Sequence, residues 1–187
     1  GEIGAVRFRK DARWLMAADR SGRALAFYDM ESSRVGVRVP LHLRPDQLCF
    51  KPDGGQLFVT GDGLDAVVTV YPYQTEVGST MLAGRTPGVM AASFVPSYLF
   101  VANPTSNTVT ILNVATQRVT GAAQVGREPS FLSITPNQEY ALVLNRQSGD
   151  MSVIHIPSLS ARRTKAASLF TQVPVGSEPV AMVVREV

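Results

Sequence analysis

The stretch LFVANPTSNTVTILNV, Leu99 to Val114, recurs in weaker form at nearly constant spacing along the chain. Its copies are LMAADRSGRALAFYDM from Leu15, LFVTGDGLDAVVTVYPY from Leu57 and ALVLNRQSGDMSVIHI from Ala141. Each reads as strand, polar turn, strand. Phe100 and Ala102, then Val109, Ile111 and Asn113, fall at alternate positions, and Pro104 to Thr108 supply the turn chemistry between the two runs. Two further anchors keep the same interval. The apolar residues before the turn that leads into each of these runs, Phe8, Phe50, Phe94 and Ile134, with Val184 behind them, are 42, 44, 40 and 50 residues apart. The prolines Pro45, Pro87, Pro129 and Pro179 are 42, 42 and 50 apart, two of them in the related words VGREP and VGSEP. A shared interval in three independent anchors identifies an internal repeat.

The interval selects the architecture, because four strands of about five or six residues with short turns add up to roughly 40 residues. In the third repeat the expected strands are Val89 to Phe94, Tyr98 to Ala102, Thr108 to Val114 and Arg118 to Val125. Lys10-Asp11, Pro52-Asp53-Gly54, Pro96-Ser97 and Pro136-Asn137 mark the turns between first and second strands. Helical repeats would need apolar residues at three-and-four spacing over ten or more residues, and leucine-rich repeats an L-x-x-L-x-L pattern; neither occurs. A lone four-stranded sheet leaves both faces exposed, and radial stacking buries them. The expected fold is all-β, a β-propeller segment of about four four-stranded blades, with repeats over 3–41, 45–84, 87–126 and 129–176 and an extra inner strand over 179–187.

That extra strand predicts a ring larger than four blades: either blades preceding Gly1 are missing, or another chain completes the ring by self-association. Gly1 stands at the start of a repeat, so a processed or trimmed amino terminus is expected. The fourth repeat is longer than the others, and Ser158 to Lys165, with Arg162, Arg163 and Lys165, is expected to form a solvated loop between its third and fourth strands.

Composition narrows function mainly by exclusion. Charged residues make up 18% of the 187, and the net charge of +3 is too small to imply nucleic acid as a partner, which shows as a clustered basic face. The longest apolar candidate, Val89 to Ala102, is interrupted by Pro96 and polar residues and falls short of a membrane span. The single cysteine, Cys49, precludes an internal disulfide framework and reads as a small buried hydrophobe.

The segment Leu99 to Asn145, with its strand ending in Asn, its S-N-T-V turn, its V-G-x-x-P link and its T-P-N turn, resembles the YVTN family of β-propeller repeats. The resemblance is looser in the first two repeats, where Asp19 and Gly61 replace the strand-ending Asn103 and Asn145. It implies a propeller, commonly seven-bladed, in a bacterial or archaeal surface or secreted protein, and it implies no particular reaction.

Candidate chemistry is thin. His42 and His155 have no second ligand at helical spacing; His155 alternates with Val153 and reads as structural, while His42 is expected to face solvent. Asp62 and Asp65 in the GDGLD turn read as turn chemistry rather than a Ca²⁺ loop. Asn103 and Asn145 are expected to adopt left-handed geometry and bond their own backbone, and Trp14 and Tyr140 to pack between blades. No catalytic, cofactor-binding or metal residue is assigned. The leading expectation is a non-enzymatic scaffold, periplasmic or at the bacterial cell surface, binding a protein or glycan through loops on one face. The alternative is a lactonase-like or cofactor-carrying propeller enzyme whose site lies in blades outside this chain, and a third reading is a purely structural repeat of a surface layer.

Overall fold

The computed structural model describes residues 1–159 and 169–185. Among the described residues, apolar alternation and turn residues resolve into sixteen strands. They are β1 (Ile3–Phe8), β2 (Trp14–Asp19), β3 (Ala24–Asp29), β4 (Arg34–Pro40), β5 (Arg44–Phe50), β6 (Leu57–Asp62), β7 (Ala66–Tyr71) and β8 (Glu76–Leu82). The series continues with β9 (Met90–Ala92), β10 (Tyr98–Asn103), β11 (Thr108–Asn113), β12 (Arg118–Gln124), β13 (Pro129–Ile134), β14 (Tyr140–Asn145), β15 (Asp150–His155) and β16 (Leu169–Pro174). They form four separate four-stranded antiparallel sheets, each of four consecutive strands in sequence order. The blades expected from the 42-residue interval are these sheets.

Local chemistry repeats from sheet to sheet. A left-handed residue stands directly before the returning strand in most hairpins: Arg23 before β3, Ser33 before β4, Thr75 before β8, Asn107 before β11, Gln117 before β12 and Gly149 before β15. This closes a four-residue loop with a twist that suits the flanking strands. The register slips between the same strands of successive sheets, at Pro45/Gln47 and Pro129/Phe131 on the first strand and at Phe27/Tyr28, Ile111/Leu112 and Val153/Ile154 between third and fourth. Such bulges increase local twist.

The chain divides into two compact units, Gly1–Met81 and Leu82–Val187. In the first, Met16, Leu25 and Phe27 pack with Leu48, Leu57, Val59 and Val68 in one apolar cluster. In the second, Phe100, Ile111, Leu132, Val143 and Ile154 form another. Burying each of these side chains contributes about 1.5–3 kcal/mol.

Two details differ from expectation. β9 spans only Met90–Ala92 and is short at its start: its end matches the other first strands, with the Ser93 amide closing the turn on the Tyr98 carbonyl at 2.9 Å as Arg9, Lys51 and Thr135 do on Trp14, Gln56 and Tyr140, while Ser93 Oγ donates to the Pro96 carbonyl at 2.5 Å and accepts from the Tyr98 amide at 3.2 Å. Phe94, expected as a strand residue, falls in the turn, where Lys10, Pro52 and Pro136 stand in the other sheets, and is exposed. The long connection after β15 begins with a 3-10 turn, Ile156–Leu159, whose Ile156 and Leu159 enter the core and whose Leu159 carbonyl accepts from Tyr98 Oη at 3.0 Å. Arg162, Arg163 and Lys165 lie outside the described residues. Among the described residues no helix is long and apolar enough to cross a membrane.

Candidate functional site

The end of each sheet where the second strand turns into the third is built around one repeat position. In β10 and β14 it holds Asn103 and Asn145, both 0% exposed. Asn103 Nδ2 donates to Thr110 Oγ1 at 2.9 Å and Thr108 Oγ1 at 3.3 Å; Asn145 Nδ2 donates to Asp150 Oδ1 at 2.6 Å and Ser152 Oγ at 2.8 Å. The amides therefore clamp the second strand to the third. This corrects the expectation of left-handed geometry, which falls instead on Asn107 and Gly149, and the bond from Asn103 Nδ2 to backbone, at the Val101 carbonyl, is a long one of 3.4 Å. Each amide needs a bare neighbour. A Cβ on Gly84 would come within 2.9 Å of the Asn103 side chain, and one on Gly126 within 2.7 Å of Asn145 Nδ2.

The second sheet reverses this pairing. Gly61 takes the strand-end position, where a Cβ would run into the backbone carbonyl of Arg44, and the link carries His42 where the others carry glycine. Leu43 of this link is fully buried. Beside it is a cavity of about 120 Å³ with aliphatic walls from Pro40, Leu41, Leu64, Val68 and Val77; His42 and Thr80 add its polar groups. The volume accommodates one medium side chain, smaller than the roughly 300 Å³ at which drug-sized pockets begin.

A charged cluster occupies the same end of the first unit. Arg20, in the turn after β2, pairs with Asp46 of β5, with Asp62 Oδ2 at 3.0 Å and with Glu2 Oε1 at 3.1 Å, and Arg44 reaches Glu2 Oε2 at 3.2 Å. The hydrogen bond to Asp46 raises the Arg20 pKa further, so this guanidinium is a permanent cation. Three carboxylates thus converge on an arginine and not on an open coordination sphere. Among the described residues no three His, Cys, Asp or Glu side chains gather as a metal site. Asp62 of the GDGLD stretch is engaged by Arg20, while Gly63, at φ +95°, makes the turn. In the first sheet Asp19 fills the Asn position: its carboxylate accepts from the Gly22 amide at 2.8 Å and pairs with Arg38, and both hold its pKa below the ordinary carboxylate value.

The remaining candidates sit as follows. His42 is exposed, as expected. His155 is half-buried in a row of rings on the fourth sheet, 5.3 Å from Tyr140 and 6.0 Å from Phe170, so Tyr140 packs within its own blade rather than between blades. Trp14 packs against the cluster shared by the first two sheets, and the Arg9 guanidinium lies 5.7 Å from its ring and 4.6 Å from that of Tyr73. Cys49 is half-buried, not fully buried, with Sγ 3.6 Å from the Phe50 carbonyl. Sequence reasoning missed the cavity, although the exchange of Gly for His42 and of Asn for Gly61 is its visible trace.

No family model and no curated protein matches this chain. Solved structures do. A putative 6-phosphogluconolactonase from Bacteroides uniformis superposes with a TM-score of 0.79 at 20% identity, covering 96% of this chain and 57% of its own. The periplasmic gluconolactonase of Pseudomonas aeruginosa gives 0.76 at 19%, covering 97% and 56%. Hydrazine synthase from Kuenenia stuttgartiensis gives 0.77 at 18%, covering 91% and 48%. The chain spans about half the length of these structures, and at such identities the likeness speaks for fold alone. The four antiparallel sheets are blades of a β-propeller.

Proposed function

We propose that this chain belongs to a YVTN-type propeller that serves as a non-enzymatic scaffold, periplasmic or on the cell surface, and that it holds a protein ligand at the rim of its first two blades. The observation that carries the reading is the reversed Gly–Asn pair. At the link where His42 replaces glycine and Gly61 replaces asparagine, an aliphatic cavity of about 120 Å³ lies beside the link. Departures from a repeat's own rules are where function is expected to reside. Aliphatic walls with one imidazole and one hydroxyl suit a single apolar side chain of a protein better than a sugar, which asks for a polar fringe and a ring to stack on. The neighbouring ions are already paired with one another, which leaves steering rather than proton transfer as their role.

The test is retention of an envelope protein by the immobilised chain and by Val77→Arg, which puts a charge into the cavity wall. Binding that survives Val77→Arg, or retention of glycans alone, removes the proposal.

A second reading has one specific support, the structural likeness to one protein described as a putative 6-phosphogluconolactonase and one described as a periplasmic gluconolactonase. On that reading this chain is the frame of a lactone-hydrolysing propeller whose reacting groups lie in other blades. Metal analysis and a lactone hydrolysis assay on the longer protein separate the two: stoichiometric metal or turnover favours the enzyme.

A further inference from the structure

The cavity beside His42 is walled in part by the last strand of its own sheet. In the second sheet the strands run β5, β6, β7, β8 from one side to the other, so β8 has a partner strand on one flank only. An edge strand turns a row of backbone N–H and C=O groups outward, without ladder partners. Val77 and Thr80 of β8 line the cavity, and both are exposed, Val77 at 46%. The cavity therefore opens along the edge that presents those backbone groups.

Edge strands are ordinarily blunted against further pairing by charge or proline. β4 carries Arg38 within the strand and ends on Pro40, and β16 ends on Pro174. β8, EVGSTML, has neither device: its one charge is Glu76, at the first position. Gly78, whose missing Cβ would stand 2.6 Å from the Tyr71 ring, bares the backbone midway. β12 is built alike, with Arg118 at its first position; β8 adds to such an edge a cavity on its flank.

Size and shape decide what fits. A volume of about 120 Å³ between Leu41, Leu64 and Val68 holds one side chain of valine or leucine size. A helix laid in a groove needs anchors at i, i+4 and i+7, hence several receptacles in a line. A strand beside an edge needs one receptacle for the residue that faces it, because its neighbours point to the opposite face and the ladder supplies the remaining contacts. The edge gives affinity through backbone bonds and the cavity gives selection.

We propose that β8 is a strand-addition edge whose occupant is an extended segment of a protein partner: it continues the second sheet by one strand and lowers a single valine, leucine or isoleucine into the cavity. This rests on the protein-ligand reading of the cavity and adds how that ligand is held. The segment carries no proline opposite Val77 to Thr80, because a missing N–H breaks the new ladder.

The probe is a phage-displayed library of random nonapeptides, panned against the immobilised full chain, with the selected sequences then made as blocked free peptides. Expected are proline-free cores around one aliphatic residue, weakened about tenfold by Val77→Arg, which sets a charge in the cavity wall. Because Val77 is already exposed, Val77→Arg keeps the fold, which circular dichroism checks. N-methylation of the peptide backbone, one residue at a time, then reads the ladder: alternate positions should each cost about tenfold through a lost bond, and those between about twofold at most. Binding sensitive to Val77→Arg but indifferent to which amide is methylated overturns strand addition and leaves the cavity reading standing. A library with no binder that Val77→Arg weakens overturns both. A chain that light scattering shows to be a dimer separated by Val77→Arg also overturns the proposal, since a second copy then holds the edge.

Discussion

Replacing Asn145 by aspartate tests the strand-end clamp without altering shape. The wild-type amide gives one hydrogen bond to the Asp150 carboxylate at 2.6 Å and one to Ser152 Oγ at 2.8 Å, at a position with no solvent access. Asn145→Asp turns the donor into an acceptor. It loses a bond to a charged partner, worth about 1.5–3 kcal/mol, and sets two carboxylates against each other. An uncompensated buried charge brings the expected cost at neutral pH to about 3–5 kcal/mol, or about 6–20 °C of melting temperature for a chain of this size. The new carboxyl is held above its unfolded-state value by this repulsion and by burial. A raised folded-state pKa contributes stability below the unfolded value, near pH 4, and that stability is lost as pH rises through the folded value. The deficit against wild type should therefore shrink between pH 7 and pH 4. Asn103→Asp is the control, because its partners Thr110 and Thr108 are hydroxyls that can turn to donate, and it should cost about 1–2 kcal/mol with a weaker pH dependence. Thermal melts of both variants at the two pH values decide the matter. Equal costs, or a deficit at Asn145→Asp that widens on acidification, would refute the clamp.

Three further outcomes follow from the geometry. Ala12 holds φ +56° in the turn after β1 with no side-chain group to compensate, so Ala12→Gly should stabilise by about 0.5–1 kcal/mol in a denaturant titration. Gly36 and Gly78 face rings, with a Cβ meeting Trp14 at 2.7 Å and Tyr71 at 2.6 Å, so alanine at either should cost about 1–3 kcal/mol and change near-ultraviolet dichroism. Asp19, held low by the Gly22 amide and then by Arg38, contributes stability that is full above its unfolded pKa and is lost as pH falls below about 4. Arg38→Ala should flatten that acid limb of a stability profile while leaving the bonds of β2 to β3 intact.

Period, strand count and turn positions are legible in the sequence because each rests on local chemistry: alternation sets the strands and Gly, Asn, Asp and Pro set the turns. What sequence reasoning misses depends on partners distant in the chain. Asn103 and Asn145 read as turn formers because their neighbours in sequence are turn residues; their hydroxyl and carboxylate partners lie five and seven residues on, across a hairpin. Tyr140 reads as filling the space between blades because it matches Trp14 in repeat position, but the rings that receive it, His155 and Phe170, belong to its own sheet and have no counterparts around Trp14. Phe94 reads as a strand end because it is apolar, but the Ser93 amide closes the turn on the Tyr98 carbonyl one residue earlier, at the step taken by Arg9, Lys51 and Thr135 in the other sheets.

The cavity beside His42 shows why divergence within a repeat is informative in this fold. At the strand end, size is shared between two positions: a buried amide in the second strand requires glycine in the incoming link, as at Asn103 with Gly84 and Asn145 with Gly126. Losing the amide alone would leave a void, and gaining a link side chain alone would produce a clash, so neither change is tolerated singly. The second blade carries both changes together, Gly61 with His42, and buries Leu43 in the space gained. Paired replacement preserves the fold, yet the fold would be equally well served by the original pair. The exchange of a repeat-wide clamp at one rim position for a buried Leu43, beside a pocket with aliphatic walls, is the feature on which the proposed docking of a protein side chain rests.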